Sequence, residues 1–135
     1  MLNTQDQFEL RVYYEDTDAG GIVYYANYLK FFERARTEWL RKLDIHQSFF
    51  LEQNVGFVVR KVEMDNLASA KLDDVLVVIS EISELKRASL VFQQKIMNNQ
   101  RVLCTAKVRI ACVNLNLAKP CSIPEKILGA LKSAS

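Results

Sequence analysis

One long segment of this chain has the periodicity of a helix, and the segments around it alternate like strands. Between residues 26 and 43, apolar side chains recur every three or four positions, which places them on one helical face. That face consists of Tyr28, Phe32, Ala35, Trp39 and Leu43, and it is widened by Leu29, Phe31 and Leu40. Because several aromatic rings lie on one side, we expect this helix to be wrapped by an apolar surface.

Strand patterns occupy most of the remaining chain. Residues 8–14 alternate between apolar and polar side chains, which predicts a half-buried strand. After the helix we predict four further strands, at residues 55–67, 75–82, 90–96 and 102–112. Asn98-Asn99 is typical of a hairpin turn. Ser122, three residues before Glu125, predicts the N-cap of a short C-terminal helix.

The connections between the predicted strands are short, so we expect the strands to pair antiparallel. The predicted fold class is α+β, with one long antiparallel sheet wrapped around one central helix. No linker rich in Pro, Gly or Ser divides the chain, and we interpret residues 1–135 as a single domain. Such a sheet keeps an open face or edge, which favours a dimer.

The composition argues against several classes of function. The chain has 18 Lys and Arg against 16 Asp and Glu, and a net charge of +2 is too small to indicate a nucleic-acid partner. The longest apolar run is VLVVI, far short of the roughly 20 residues of a membrane span. The polar N-terminus lacks the apolar segment of a secretory signal. We therefore expect a cytoplasmic protein that does not span a membrane.

The cysteines and the single histidine argue against a zinc site, because no CxxC pair is present. Cys104 and Cys112 lie on one predicted strand, about 26 Å apart at roughly 3.3 Å per residue, and so do not bond to each other. We expect both, and Cys121, to be reduced and buried. His46 follows the helix, where it is either a general base or, as we favour, a charge at the helix C-terminus or a partly exposed loop residue.

Three acids stand together in the segment YEDTDAGG, residues 14–21, which we call the acidic loop. Acids before a helix commonly cap its free N–H groups. Asp18, however, lies about eight residues before the predicted helix, and the Ala-Gly-Gly after it permits close approach of a ligand. A carboxylate that faces a helix N-terminus able to bind an oxyanion is half of an acyl-transfer site. We interpret Asp16 as a residue that orders the loop.

The stretch YEDTDAGGIVYYANYLKFFERAR, residues 14–36, resembles the signature of hotdog-fold acyl-CoA thioesterases in the 4-hydroxybenzoyl-CoA thioesterase family. More narrowly, it resembles the YbgC-type branch, which is linked to the Tol-Pal envelope system of Gram-negative bacteria. The match is dense over residues 11–42. It implies a hotdog fold, hydrolysis of acyl-CoA in lipid metabolism, and dimers that pair into tetramers. It implies no cofactor, since coenzyme A is part of the substrate.

The resemblance also implies roles for individual residues. Asp18 matches the catalytic carboxylate, which either attacks the thioester carbonyl or activates a water molecule. The backbone N–H near Tyr25 would polarise the thioester oxygen, and Gly21 would contact the substrate. YbgC-type proteins often have His where this chain has Tyr25, whereas the 4-hydroxybenzoyl-CoA enzymes have Tyr. Tyr14 either lines the acyl pocket or belongs to the core.

The resemblance further places the nucleotide end of coenzyme A at a basic turn. Lys86, Arg87 and Ser89 match that turn in position, and the alternative is an ordinary solvated hairpin. Glu33, on the helix, is interpreted as a solvated acid or a partner of nearby basic residues rather than a catalytic one.

Three functions remain open on the sequence. The first is an acyl-CoA thioesterase. The second is a hotdog dehydratase, which is disfavoured because its chemistry needs a His and residues 1–45 contain none. The third is a non-catalytic scaffold that binds acyl thioesters or acyl carrier protein in phospholipid metabolism. Asp18 discriminates between them, because a binding module gains little from a carboxylate beside a thioester.

Overall fold

The sheet is built from strands that follow one another along the chain. The computed structural model describes residues 5–134. Its strands are β1 (Gln5–Arg11), β2 (Val55–Asn66), β3 (Val75–Leu85), β4 (Ser89–Asn98), β5 (Arg101–Asn114) and β6 (Lys119–Pro120). Its α-helices are α1 (Asn27–Lys42), α2 (Gln47–Glu52) and α3 (Glu125–Ala134). A one-turn 3-10 helix covers Tyr14–Asp16.

All pairings in the sheet are antiparallel, in the order β1-β3-β4-β5-β2, and β6 pairs with the end of β5. The β4–β5 hairpin turns at Asn99, whose φ of 54° is the left-handed conformation that Asn tolerates. The predicted turn is therefore confirmed, one residue later. The sheet curls around α1, which confirms the α+β class and the hotdog arrangement. Strands β1 and β2 form the outer strands of the described sheet.

Helix α1 packs against the sheet through the face that its periodicity predicts. Seven of its residues are buried: Tyr28, Phe31, Phe32, Ala35, Arg36, Trp39 and Leu40. Burying a Phe side chain stabilises the fold by about 1.5–3 kcal/mol, so this face is a large part of the core. Leu29, predicted to widen the face, is instead 40% exposed. Glu33 is exposed, as predicted.

One buried residue of α1 is charged, and the apolar pattern does not reveal it. Arg36 Nη1 donates a 2.9 Å hydrogen bond to Gln94 Oε1 on β4. Gln94 Nε2 donates to Ser80 Oγ on β3 at 2.9 Å and to the Phe32 carbonyl at 3.0 Å. Arg36, Gln94 and Ser80 therefore form a buried polar chain between the helix and the sheet. Each Gln94 bond satisfies a group that would otherwise be desolvated without a partner.

Two local predictions are wrong. The first strand ends at Arg11, and Tyr14 lies in the 3-10 turn with 68% of its surface exposed, so it is not a core residue. The Asp16 carboxylate causes this turn by accepting a hydrogen bond from the Tyr13 N–H. Ser122 is not an N-cap, because α3 begins at Glu125 and the Ser122 hydroxyl accepts a hydrogen bond from Arg87.

The three cysteines are free, and Cys104 and Cys112 are buried as predicted, whereas Cys121 is only partly buried. Burial raises the pKa of the Cys104 and Cys112 thiols to about 12, which keeps them neutral at physiological pH. Cys112 and Cys121 Sγ lie 3.6 Å apart, a proximity that the sequence does not suggest because β6 has only two residues. Over the described part of the chain, no helix has the length and apolar character needed to cross a membrane.

Candidate active site

Asp16 organises the loop that carries the acidic residues. Its Oδ2 accepts a 2.9 Å hydrogen bond from the Tyr13 N–H, which tightens the chain after β1. Its carbonyl accepts hydrogen bonds from Asn27 Nδ2 at 2.8 Å and from the Tyr24 N–H at 3.2 Å. These bonds join the end of β1 to the start of α1. The interpretation of Asp16 as a loop-ordering residue is confirmed, and its burial is consistent with that role.

Asp18 lies two residues further on and is exposed. Its Oδ1 accepts hydrogen bonds from the Gly20 N–H at 2.9 Å and from the Ile22 N–H at 3.2 Å. Its backbone N–H donates to the Ile22 carbonyl at 2.9 Å. Oδ2 has no hydrogen-bond partner within residues 5–134. The carboxylate is thus held in orientation by one oxygen while the other is open to an incoming molecule.

The two glycines after Asp18 are required by this geometry. A Cβ at Gly20 would lie 3.3 Å from Asp18 Oδ1 and would crowd the carboxylate. Gly21 has φ of 77°, a left-handed conformation that costs little only for Gly. Its carbonyl accepts from the Leu72 N–H at 2.9 Å, so the segment that precedes β3 supports the acidic loop from behind.

The entrance to α1, residues 24–26, supplies backbone donors. The N–H groups of the first three helical residues donate to the carbonyls three positions earlier, at 2.8–3.2 Å. The N–H groups of Tyr25 and Ala26 have no acceptor among the described residues. Free donors at the positive end of a helix are suited to a developing oxyanion. The resemblance indicated a backbone donor near Tyr25. The Tyr25 N–H is one of the two N–H groups at this entrance that have no acceptor among the described residues.

Aromatic side chains border the acidic loop. Tyr13, Tyr14, Tyr24 and Tyr25 are all more than half exposed, and the Tyr24 and Tyr25 rings contact each other at 5.0 Å between centroids. Exposed rings in such number offer an apolar surface to a ligand or a partner chain. Tyr13 and Tyr24 are not among the predicted site residues. The VYY repeat at residues 12–14 and 23–25 is the sequence signal that could have identified them.

The predicted basic turn joins β3 to β4, and no hydrogen bond or ion pair of the described residues connects it to the acidic loop. The Lys86 N–H donates to the Ser89 carbonyl at 2.8 Å, and Lys86 Nζ lies 3.4 Å from Glu84 Oε1. Hydrogen bonding from Arg109, and secondarily from Lys86, lowers the pKa of Glu84. Arg87 Nε donates to Ser122 Oγ at 3.0 Å. Arg87 is therefore partly engaged in holding the C-terminal segment.

His46 lies outside this site. It is exposed between α1 and α2, and its Nε2 lies 3.2 Å from Asp44 Oδ1. The preference for an exposed loop residue is confirmed. Within residues 5–134, no three His, Cys, Asp or Glu side chains cluster in a way that would hold a metal ion.

Comparisons with known proteins bear on this arrangement. A sequence model of the thioesterase-like superfamily matches residues 12–131. The acyl-CoA thioesterase YbgC of Haemophilus influenzae is 50% identical over 131 residues, 96% of each chain. The acyl-CoA thioester hydrolase YbgC of Escherichia coli O6:H1 is 44% identical, over 98% of this chain and 99% of that one.

A solved structure gives the same result. The probable thioesterase from Bartonella henselae superposes with a TM-score of 0.83 at 38% identity, over 89% of this chain and 99% of that one. Sequence and fold thus agree over nearly the whole chain. The chain belongs to the thioesterase-like superfamily, within its YbgC-type branch.

Proposed function

We propose that this protein is an acyl-CoA thioesterase that hydrolyses acyl-CoA to a free acid and coenzyme A. The observation that carries the proposal is an open Asp18 oxygen in a loop that is bonded, through the Asp16 carbonyl and the Tyr24 N–H, to the entrance to α1, where two N–H groups are unoccupied. The activity named for the relatives at 44–50% identity supports it.

In the proposed reaction, the Tyr25 and Ala26 N–H groups donate to the thioester oxygen and stabilise the negative charge that develops there. Asp18 acts in one of two ways. As a general base it takes a proton from water, whose oxygen attacks the carbonyl carbon; the carbon–sulfur bond then breaks. As a nucleophile it attacks directly, releases the coenzyme A thiolate and forms an anhydride that water hydrolyses. Gly20 and Gly21 admit the substrate close to the carboxylate.

The residues that would bind the other parts of the substrate are chosen by their positions in the chain. Lys86, Arg87 and Ser89 would bind the phosphates of coenzyme A, Lys86 being the cation with only a long ion pair to Glu84. The exposed Tyr14 and Tyr25 rings would border the acyl arm. Acyl carrier protein in phospholipid metabolism is the alternative carrier, and the proposed compartment is the cytoplasm.

We also propose that the active form is a homodimer that pairs into a tetramer. Strand β2 is an outer strand of twelve residues, and Val58, Val59 and Val62 on it are exposed. A long outer strand with exposed apolar side chains is suited to pairing with a second copy. Such pairing would cover apolar surface that a monomer leaves in water.

The experiment measures thiol release from acyl-CoAs, from acetyl to palmitoyl and including benzoyl. We expect turnover by the native protein and a loss of roughly 10²–10⁴-fold in Asp18→Asn. Glu15→Gln is the matched control, since it removes the charge of a neighbouring exposed acid and should leave turnover unchanged. Binding of acyl-CoA without turnover by the native protein would replace this proposal with the scaffold function.

A single turnover in oxygen-18 water separates the two roles of Asp18. Label in the Asp18 carboxylate establishes the nucleophile, because oxygen from water enters that group only when water attacks the Asp18 carbonyl of an anhydride. Label in the released acid alone fits a general base or an anhydride that water attacks at the acyl carbonyl, and trapping of the anhydride with hydroxylamine as an Asp18 hydroxamate then decides between them. Mass spectrometry of the peptide that contains Asp18 reads the difference.

A further inference from the structure

Two cysteines on either side of the turn between β5 and β6 lie close together. The Sγ atoms of Cys112 and Cys121 are 3.6 Å apart, and the Cys121 N–H donates a 2.9 Å hydrogen bond to the Cys112 carbonyl. The register pairs Val113 with Pro120, so continuing it by one residue places Cys121 opposite Cys112. Opposed residues of antiparallel strands have Cα atoms about 4.5–5.5 Å apart, within the range of roughly 4.4–6.8 Å that a disulfide spans. The backbone is therefore already positioned for a bond between the two sulfur atoms.

The turn itself holds this register. Asn114 Oδ1 accepts hydrogen bonds from the N–H groups of Asn116, at 3.0 Å, and Leu117, at 3.1 Å. Ala118 follows with φ of 53°, in the left-handed region, directly before β6 begins. Because the turn is bonded from within, the approach of the two cysteines follows from the local backbone and needs no covalent link.

The two thiols differ in their access to solvent. Cys112 is buried, whereas Cys121 is partly exposed. Burial, and secondarily the hydrogen bond shared with Cys121, raises the pKa of Cys112 to about 12, so Cys112 stays a neutral thiol at physiological pH. A small oxidant therefore reaches Cys121 first, and Cys112 is placed to react second, with the oxidised Cys121 sulfur.

We propose that Cys112 and Cys121 are a redox-active dithiol, which hydrogen peroxide or a small disulfide converts to an intrachain disulfide. With peroxide, the Cys121 sulfur attacks one oxygen, the O–O bond breaks, and Cys121 sulfenic acid forms with release of water. The Cys112 sulfur then attacks the Cys121 sulfur, the S–O bond breaks, and hydroxide leaves with the Cys112 proton as a second water. The two thiols lose two electrons, which the peroxide gains.

A small disulfide reaches the same product by exchange. The Cys121 thiolate attacks one sulfur of oxidised glutathione, which releases one glutathione and leaves a mixed disulfide on Cys121. Cys112 then displaces the second glutathione and forms the bond to Cys121. In a reducing compartment, a disulfide of this kind is expected to be transient and to respond to the redox state.

The bond would fix the segment that contacts the basic turn. Ser122 Oγ accepts a 3.0 Å hydrogen bond from Arg87 Nε, and the Ile123 N–H donates to the Arg87 carbonyl at 2.8 Å. The Cys112 N–H donates to the Ala88 carbonyl at 2.9 Å. Linking the two strands covalently at this point should reduce local opening of the segment beside Arg87. The dithiol does not depend on the proposed hydrolysis of acyl-CoA.

Counting thiols in the native protein tests the proposal. We expect hydrogen peroxide and oxidised glutathione, applied separately, to lower the free thiols from three to one, and dithiothreitol to restore all three. Trypsin separates Cys104, in residues 102–107, from the proposed pair, which share residues 110–126 because the bond before Pro120 resists cleavage. Differential alkylation should find Cys104 free and the pair protected. Three free thiols after both treatments, a disulfide between two copies, or a stable glutathione adduct on Cys121 would overturn the proposal.

The rates of the two treatments distinguish the oxidants, since the faster one is the class that the dithiol favours. Two variants test the order of the steps. Cys104→Ala is the matched control, because it removes the other buried cysteine of β5, and it should form the disulfide at the native rate. Cys112→Ala removes the second thiol, and we expect Cys121 to remain a sulfenic acid that dimedone traps. No dimedone adduct on Cys121 would contradict its role as the first sulfur, and the thiol count on the native protein holds even where a variant fails to fold.

Amide hydrogen exchange measures the effect beside the basic turn. We expect the Cys121 and Ile123 N–H groups to exchange roughly threefold or more slowly in the oxidised protein than in the reduced one. The N–H groups of β1 are the control and should exchange equally in both forms. Equal exchange at Ile123 would overturn the effect on the segment beside Arg87. Should no acyl-CoA be hydrolysed, the proposed function fails, whereas the thiol count and the exchange rates still decide the dithiol.

Discussion

The acidic loop and the buried polar chain both place polar side chains against α1, and they differ in how completely those groups are satisfied. In the loop, Asp18 keeps one carboxylate oxygen open, and two N–H groups at the entrance to α1 have no acceptor in the described chain. In the buried chain, Gln94 bonds on both sides, to Arg36 and to Ser80. Buried groups need partners for stability, whereas exposed open groups cost little and remain available for chemistry.

This contrast also appears inside the loop. Asp16 is buried and joins β1 to α1 through its Oδ2 and its backbone carbonyl, whereas Asp18, two residues later, is exposed and bonds only within the loop. Two acids of the same stretch thus divide the work: one fixes the backbone and the other faces the solvent. Substitutions of the buried groups should mainly lower the free energy of unfolding. Substitutions of the open groups should mainly lower catalytic activity.

The largest expected effect on stability is at Gln94. Gln94→Met removes the hydrogen-bond partner of a buried guanidinium and of Ser80, and we expect the free energy of unfolding to fall by about 3 kcal/mol. Urea unfolding measures it. Gln93→Met, at the half-exposed neighbouring position on β4, is the control and should change stability by less than about 1 kcal/mol. Equal losses in the two variants would mean that the buried chain has no special part in stability.

The next largest effect is expected at Asp16, because loss of its side chain should displace the loop that carries Asp18. Asp16→Ala leaves the Tyr13 N–H without its acceptor and loosens the turn before Asp18, and we expect kcat to fall roughly 10–100-fold through misplacement of Asp18. Asp16→Asn keeps an oxygen that accepts the same hydrogen bond and should recover most of the activity. A loss as large in Asp16→Asn would assign Asp16 a charge-dependent role rather than a positioning one.

Tyr28 tests whether the helix holds the segment that supports the loop. Its hydroxyl accepts a 2.9 Å hydrogen bond from the Ala70 N–H, and the Ala70 carbonyl accepts from the Val23 N–H. Tyr28→Phe leaves the buried Ala70 N–H without a partner and should cost about 1–3 kcal/mol by urea unfolding. Full stability in the variant would show that a water molecule or the backbone replaces the phenol.

Tyr28 should also make the stability of the fold depend on pH, in a direction that follows from its raised pKa. Burial raises the pKa of Tyr28 above its ordinary value of 10.0. The unfolded chain therefore ionises first, and the folded state loses stability as the pH rises through about 10 toward the higher folded pKa. Below pH 10, both states are neutral at this residue and it adds no pH dependence. Urea unfolding at rising pH should show a shallower decline in Tyr28→Phe than in the native protein.

The sequence predicts those parts of the molecule that rest on periodicity. The range of α1 and the long strands follow from repeated apolar spacing, since one face of each element must be buried. Asp18 is identifiable because acids and glycines in one short loop are a local pattern. The position of Arg36 is not, because an arginine on a helix is normally exposed and only the three-dimensional contact with Gln94 buries it. Tyr14 was misplaced for a related reason, because the hydrogen bond from the Tyr13 N–H to Asp16 ends the alternation of the strand before Tyr14.

The smallest expected effect separates two neighbouring cations of the basic turn. Lys86 is exposed and has only a long ion pair, so it resembles the open groups of the loop, while Arg87 is also bound to Ser122. If both contact coenzyme A, Lys86→Gln should raise KM by roughly fivefold or less without changing kcat or stability, since exposed charges contribute up to about 1 kcal/mol. Arg87→Gln should raise KM similarly and also lower the free energy of unfolding by about 0.5–1.5 kcal/mol, through the lost bond to Ser122.

Lys95→Gln, an exposed lysine on β4, controls for net charge. An unchanged KM in both turn variants would place the phosphates elsewhere and leave the Arg87–Ser122 contact as purely structural.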